Sequence, residues 1–223
     1  MNTIEPQTLQ PLDPSIIQQL IDLHNKSKQL KIPGRVFSHD IDAAIQLVMP
    51  IIESILGNNT WILSGGNFFE TRVGYRVHAD TGFEGPSKVW QTIVFPLEMD
   101  INEFANLEKN RLIIFNQSWK KRSSFFLRGG DPYPEVSENS PYDLVFNYTD
   151  VINTNSNIIS EEAATLCPHL DRRDLEGLTI DRSLIWTPGI PMTFPRDRLH
   201  ASTAFPRVGV PRKLGLSLFF SSK

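Results

Sequence analysis

The sequence predicts a mainly β protein, an antiparallel sandwich or barrel with helices packed on one side. Helical periodicity is confined to the first 57 residues, and beyond Gly57 short apolar or alternating runs follow one another between turn residues. The chain has 223 residues, of which 40% are hydrophobic and 21% charged, which suits one sizeable core. We therefore expect a single domain over residues 1–223, with a helical lead-in at 1–57 and a β core at 58–223.

Two amphipathic helices are predicted in the lead-in. The first covers residues 14–30, with Asp13 as its N-cap. The second covers residues 40–56 and ends at Gly57, because glycine tolerates the backbone conformation that ends a helix. Pro50 lies inside the second pattern and is expected to kink or split that helix, since proline removes a backbone hydrogen bond.

Short runs bounded by turn residues predict the strands of the β core. They cover residues 61–63, 68–78, 89–97, 111–116, 123–127, 144–147, 177–180, 184–186 and 213–220. The stretch 129–162 is rich in Asp, Pro, Ser and Asn, so we expect an inserted lid loop there rather than a domain boundary.

Charge and cysteine content exclude several classes of function. The net charge is −3 and the one basic cluster is Lys120-Lys121-Arg122, so we expect no nucleic-acid partner. A single cysteine, Cys167, allows no internal disulfide and fits a reducing compartment. The N-terminus has no signal-peptide pattern, and no apolar run is long enough to span a membrane. We therefore expect a cytoplasmic protein without a membrane partner.

The stretch Y-R-V-H-A-D-T-G-F contains the first candidate metal ligands. His78 and Asp80 are two residues apart, so on a strand both side chains point to the same face. A third ligand is needed, and His24, His39, His169 and His200 are the candidates. His200 has the best context, because a short strand, a Pro-Gly turn and a second short strand precede it. Two histidines and one carboxylate leave coordination positions open, which suits non-haem ferrous iron.

These residues resemble the 2-oxoglutarate/Fe(II)-dependent dioxygenases. The resemblance consists of H-A-D, then G-x-P-x-x-F-P-R-x-x-x-H, and a last strand R-K-L-G-L-S-L-F-F. The Y-x-x-H-x-D form at residues 75–80 is similar to the prolyl-4-hydroxylase-like branch. The resemblance implies a double-stranded β-helix (a cupin-like jelly roll) in which His78, Asp80 and His200 hold catalytic Fe(II). It also implies 2-oxoglutarate as co-substrate and O₂ as oxidant.

The family also places a basic residue on the last strand, where it binds the far carboxylate of 2-oxoglutarate. Arg212 and Lys213 are the candidates here. Lys213 shares a strand face with Gly215 and Ser217, a face with room for a cofactor, so we favour Lys213 and keep Arg212 as the alternative. Tyr75 is a candidate hydrogen-bond donor to the cofactor, although strand parity places it on the face opposite to His78.

The function that the resemblance implies is hydroxylation of an unactivated C–H bond, with release of succinate and CO₂. The substrate would be a small molecule or an amino-acid side chain, free or in a peptide; desaturation and ring closure stay open. Two other classes also fit: a cupin-like protein that binds a metabolite without oxidation, and a metal-dependent isomerase. The basic residue of the last strand separates them, because only an oxoacid user needs it inside the barrel.

Overall fold

A computed structural model describes residues 4–57, 61–80, 89–119, 125–126, 151–152 and 159–222. The predicted strand at 144–147 and most of the predicted lid at 129–162 lie outside these residues.

The predicted helices are present. Helix α1 spans Pro14–Lys26, and the Asp13 carboxylate caps it by accepting a hydrogen bond from the backbone N–H of Ser15 at 2.7 Å. Helix α2 spans Asp42–Leu56 and ends at Gly57, whose φ is 76°. It runs through Pro50, so the expected split is wrong. A third helix, α3, spans Glu161–Leu166. None of the helices in the described residues is long and apolar enough to cross a membrane.

Strands also form in the lead-in, where only helices were expected. Strand β1 spans Gln7–Thr8, and β2 (Leu30–Ile32) and β3 (Arg35–Ser38) form a hairpin that pairs with the core strand β4 (Trp61–Thr71). The first predicted helix was thus too long, because residues 30–32 belong to a strand. The lead-in therefore contributes both helices and strands.

The other strands of the described residues form the rest of two antiparallel sheets. They are β5 (His78–Ala79), β6 (Trp90–Asp100), β7 (Arg111–Trp119), β8 (Phe125–Phe126), β9 (Val151–Ile152), β10 (Ile180–Ile185), β11 (Met192–Pro195), β12 (Arg198–Ser202) and β13 (Arg212–Ser222). The first sheet has the order β1-β11-β6-β13-β4-β3-β2. The second has the order β10-β7-β12-β5-β8, with β9 paired to β7.

Both sheets are covered on two faces, and strand alternation divides the side chains between them. In β13, Leu214, Leu216 and Leu218 join the core that packs against α1 and α2, whereas Lys213 and Ser217 line a cavity. In the second sheet, Leu199 and Ala201 of β12 join a core that includes residues of α3. The residue between them, His200, lines the same cavity. Alternation therefore places the polar residues of both sheets in one cavity.

Gly215 allows aromatic rings to pack against the middle of β13. A Cβ atom at this position would lie 2.6 Å from the Phe69 ring and 3.0 Å from the Trp186 ring. These two rings make an edge-to-face contact with centroids 5.7 Å apart. Glycine is therefore required at this position for steric reasons, since any side chain would displace the rings that line the cavity.

Replacing Pro50 tests the tolerance of helix α2 for proline. Pro50 is exposed, so Pro50→Ala should leave the packing intact and restore a backbone donor. We expect the free energy of unfolding to rise by about 1–3 kcal/mol, measured by chemical denaturation. Pro14→Ala is the control, because the first turn of a helix needs no N–H at that position. An equal effect of both substitutions would contradict this explanation.

One buried and one half-buried histidine, His24 and His169, predict a loss of stability on mild acidification. Burial lowers the pKa of His24, which packs against Phe68, and the pKa of His169. The unfolded chain then binds protons at these residues more readily than the folded one. The free energy of unfolding of the metal-free protein should therefore fall as the pH drops below about 6.5. In His24→Met, the free energy of unfolding should change less between pH 6.5 and 5.5 than in the wild type. An unchanged slope would show that His24 does not contribute to the pH dependence.

Candidate metal centre

The structure brings His78, Asp80 and His200 together. Strands β5 and β12 pair with His78 opposite His200, and the two ring centroids are 4.1 Å apart. The Asp80 carboxylate oxygens lie 3.6 Å from Nε2 of His78 and 3.5 Å from Nε2 of His200. One ligand atom from each residue lies within 4.8 Å of the others. One metal ion could therefore bind all three.

Backbone carbonyl groups fix the orientation of both histidine rings. Nδ1 of His78 lies 2.8 Å from the carbonyl oxygen of Arg76, and Nδ1 of His200 lies 3.0 Å from that of Arg198. A hydrogen bond donated from Nδ1 to a carbonyl leaves the Nε2 lone pair free for a metal. Each strand thus orients its histidine through the residue two positions earlier.

Burial also prepares His78 for metal binding. Desolvation of the imidazolium holds the pKa of His78 well below its usual value, and the neighbouring His200 lowers the pKa further. The neutral imidazole is the form that binds a metal ion, so His78 needs to lose no proton at neutral pH.

The remaining histidines do not belong to the ligand group. His24 belongs to α1 and is buried, with its ring against Phe68 of β4. His169 hydrogen-bonds through Nε2 to the carbonyl oxygen of Tyr75 at 3.2 Å. His39 follows β3 and lines the cavity, but it does not belong to the ligand group.

The cavity beside the ligand group has a volume of about 310 Å³ and is lined by both sheets. Lys213 extends into it from β13 and is only 2% exposed. Its Nζ lies 4.2 Å from the ring centroid of Phe205 and 4.9 Å from that of Trp186. Among the described residues, no carboxylate pairs with this ammonium group, and burial pushes the pKa of Lys213 well below its usual value. Within the described part of the chain, the cavity thus contains a buried lysine amine that no carboxylate contacts.

Arg212 lies on the other face of β13. Its guanidinium forms ion pairs with Glu70, Glu98 and Asp100, which lie on the neighbouring strands β4 and β6. It is absent from the residues that line the cavity in the described structure. The two candidate basic residues therefore have different surroundings, a compensated cluster for Arg212 and the cavity for Lys213.

Tyr75 lines the cavity together with His78, and the parity prediction for this residue is wrong. The ring centroids of Tyr75 and His78 are 4.4 Å apart. Strand β4 ends at Thr71 and β5 begins at His78, so the residues between them follow no strand alternation. The guanidinium of Arg35 stacks on the Tyr75 ring, 3.9 Å from its centroid. The β2–β3 hairpin thus supports one wall of the cavity.

Two residues that hold Asp80 were not identified from the sequence. Thr92 Oγ1 donates a hydrogen bond to Oδ2 of Asp80 at 3.1 Å. Arg196 donates through Nε to the carbonyl oxygen of Asp80, and the N–H of Asp80 donates to the carbonyl oxygen of Arg196. Arg196 stands within the F-P-R-x-x-x-H motif, but only the folded chain brings it to Asp80.

Replacing Lys213 with an apolar residue of similar length should stabilise the protein. Lys213→Met removes a buried amine whose protonation burial disfavours and which has no carboxylate partner among the described residues, so the free energy of unfolding should rise by about 1–3 kcal/mol at pH 7. The gain should shrink as the pH approaches 10.5, because unfolded lysine then also loses its proton. Lys31→Met, at an exposed position, is the control in the same denaturation experiment. A loss of stability in Lys213→Met would contradict this view of the cavity.

Comparison with known proteins finds similarity at the level of structure alone. No protein-family model matches the sequence, and no curated protein is significantly similar to it. A 2OG-Fe(II) oxygenase family oxidoreductase from Burkholderia pseudomallei is 7% identical, with a TM-score of 0.52 over 97% of this chain and 84% of that one. HygX from Streptomyces hygroscopicus, determined with nickel and 2-oxoglutarate bound, is 9% identical, with a TM-score of 0.51 over 96% and 82%.

A third match is the non-heme α-ketoglutarate-dependent epimerase SnoN from nogalamycin biosynthesis. It is 9% identical, with a TM-score of 0.50 over 94% of this chain and 73% of that one. The expected fold class is thus confirmed, while the prolyl-4-hydroxylase-like branch stays a prediction from the Y-x-x-H-x-D motif. The chain has the double-stranded β-helix fold of the 2OG-Fe(II) oxygenases.

Proposed function

We propose that this protein is an Fe(II)- and 2-oxoglutarate-dependent oxygenase. It would hydroxylate an unactivated C–H bond of a small molecule or an amino-acid side chain. One observation carries the proposal: the His78, Asp80 and His200 group shares a cavity with Lys213, a buried amine without a carboxylate partner among the described residues. A metal chelated by a dicarboxylate satisfies both features at once.

The three ligand residues suit ferrous iron. Nε2 of His78, Nε2 of His200 and one Asp80 oxygen would occupy three coordination positions and leave the others open for co-substrate and O₂. The Nδ1 hydrogen bonds keep both Nε2 atoms directed at the metal. Iron and 2-oxoglutarate together would supply the oxidation, in which one oxygen atom of O₂ enters the substrate and the other enters succinate as CO₂ leaves.

Lys213 would bind the far carboxylate of 2-oxoglutarate. The carboxylate would supply the negative charge that a buried ammonium group needs beside it. The low polarity of the site would strengthen this ion pair. Trp186, whose ring also lines the cavity, has an indole N–H without a hydrogen-bond partner among the described residues. Tyr75 belongs to the same lining. A carboxylate bound to Lys213 would lie in the cavity that these residues line.

The substrate would contact the rest of the lining. Phe37, His39, Asn67 and Phe219 belong to it and are not needed for the metal or for Lys213. They combine apolar rings with an amide and an imidazole, a mixture that suits a small organic molecule. HygX has also been determined with nickel, 2-oxoglutarate and hygromycin B bound. That example supports a small-molecule substrate here.

The position of Lys213 favours an oxoacid user over the two other classes. A cupin-like protein that binds a metabolite without oxidation has no need of an isolated lysine in its cavity. The same is true of an isomerase that uses only the metal. Keeping such a lysine buried costs free energy, so a ligand that compensates it gives the residue a function.

Anaerobic titration with Fe(II) and then 2-oxoglutarate tests the proposal. We expect a weak visible metal-to-ligand charge-transfer band in the wild-type protein. His78→Ala should abolish the band by removing a metal ligand. Lys213→Met should weaken 2-oxoglutarate binding at least tenfold, because it removes the charge that pairs with the far carboxylate. Arg212→Gln is the matched control on the same strand and should leave the band unchanged.

Each class predicts a different result. Fe(II) binding without a band on addition of 2-oxoglutarate would contradict the proposal and favour the isomerase. Absence of Fe(II) binding would favour the metabolite-binding protein. If Arg212→Gln weakened the band as much as Lys213→Met, the assignment of the far carboxylate to Lys213 would be wrong.

A further inference from the structure

Asp80 lies just beyond the strand that carries His78. Strand β5 ends at Ala79, and in the described residues β5 pairs with β12 through His78 and His200. A carboxylate that binds a metal must have a fixed direction, and residues that hydrogen-bond to it usually provide this. Contacts outside the strand ladder must therefore hold residue 80 in place.

Arg196 supplies most of these contacts. It lies between β11 and β12, four residues before His200, and is only 7% exposed. Its Nε donates to the carbonyl oxygen of Asp80, and its own carbonyl oxygen accepts from the N–H of Asp80 at 3.1 Å. Its Nη1 donates to Oγ of Ser64 at 2.7 Å, and its guanidinium lies 5.0 Å from the ring centroid of Phe219.

We propose that Arg196 is a positioning residue of the metal centre, which fixes the Asp80 peptide so that the carboxylate is directed at the metal. The inference rests on the proposed function, since it assumes that Asp80 binds a metal ion. Arg196 has no direct contact with the metal in this scheme. It acts through the backbone of Asp80, while Thr92 holds the carboxylate itself.

The geometry explains why an arginine stands at this position. Ser64 belongs to β4 of the first sheet, whereas Asp80 follows a strand of the second sheet. A planar guanidinium can donate to an acceptor on each sheet at the same time, and its fixed fork loses little freedom in doing so. A lysine ammonium keeps the charge but lacks this fork, so a lysine at position 196 should hold the Asp80 peptide less well than Arg196 does.

Metal affinity tests the inference without any need for the substrate. Co(II), a spectroscopic substitute for Fe(II), would be titrated into the full-length metal-free protein and followed by its visible ligand-field bands. We expect Arg196→Gln to weaken Co(II) binding about 10- to 100-fold and to alter the ligand-field bands. Losses of this size are usual when a residue that hydrogen-bonds to a metal-binding residue is removed. The Co(II) affinity of Arg196→Lys should lie between the affinities of Arg196→Gln and the wild type. Ser64→Ala should lower the Co(II) affinity by less than Arg196→Gln does.

Two controls separate positioning from a general effect on folding. Arg207→Gln removes another arginine that donates to a main-chain carbonyl, that of Pro168, and should leave Co(II) binding unchanged. In a double-mutant cycle, Arg196→Gln should weaken Co(II) binding much less when Asp80→Asn is already present. Additive effects in that cycle would show that Arg196 does not act through Asp80.

The outcomes distinguish this inference from the proposed function. A wild-type protein that binds neither Co(II) nor Fe(II) would overturn the proposed function, and this inference with it. A wild-type protein that binds Co(II), together with an Arg196→Gln variant of equal affinity and unchanged bands, would overturn the inference alone. If Arg196→Gln fails to fold, Ser64→Ala and Arg196→Lys decide: wild-type affinity in both would overturn the inference.

Discussion

The structure depends on strand alternation in two sheets that are both covered on two faces. Every second residue of a strand packs into an apolar core, so the residue between must point into the space between the sheets. In β13 this rule buries Leu214 and Leu216 beneath the helices and places Lys213 in the cavity. In β12 it separates Leu199 from His200 in the same way. The polar residues of the site are therefore held by the packing of the residues beside them.

Burial of polar side chains in the cavity lowers the stability of the folded chain. Lys213, buried without a carboxylate partner in the described part of the chain, and His78, kept neutral by burial, both raise the free energy of the folded chain. Under the proposed function, both would also lower the cost of binding, because the groups that would meet the metal and the co-substrate have already lost their water. The ion pairs of Arg212 lie on the opposite face of the same strand, where nearby carboxylates compensate its charge. The two adjacent basic residues thus differ in their surroundings: carboxylates compensate Arg212, whereas no carboxylate of the described residues pairs with Lys213.

The sequence predicted the parts of the site that depend on local order. The spacing of His78 and Asp80, the context of His200 and the alternation in β13 are properties of short segments, and the structure brings the three candidate ligands together. The hairpin of β2 and β3 was missed because its strands are too short to show a period. Tyr75 was misplaced because its surroundings depend on where β4 ends. The contact of Arg196 with Asp80 joins residues 116 positions apart, which no local pattern encodes.

Gly215 limits how the cavity can change. Every substitution at this position adds atoms where the rings of Phe69 and Trp186 already lie, so mutation there can only displace rings and reshape the space. Additional room for a larger ligand would have to come from smaller residues at the aromatic positions, with glycine kept in the strand. Proteins that evolve from this one to bind ligands of other sizes should therefore differ at the positions of Phe69 and Trp186 and keep glycine at position 215.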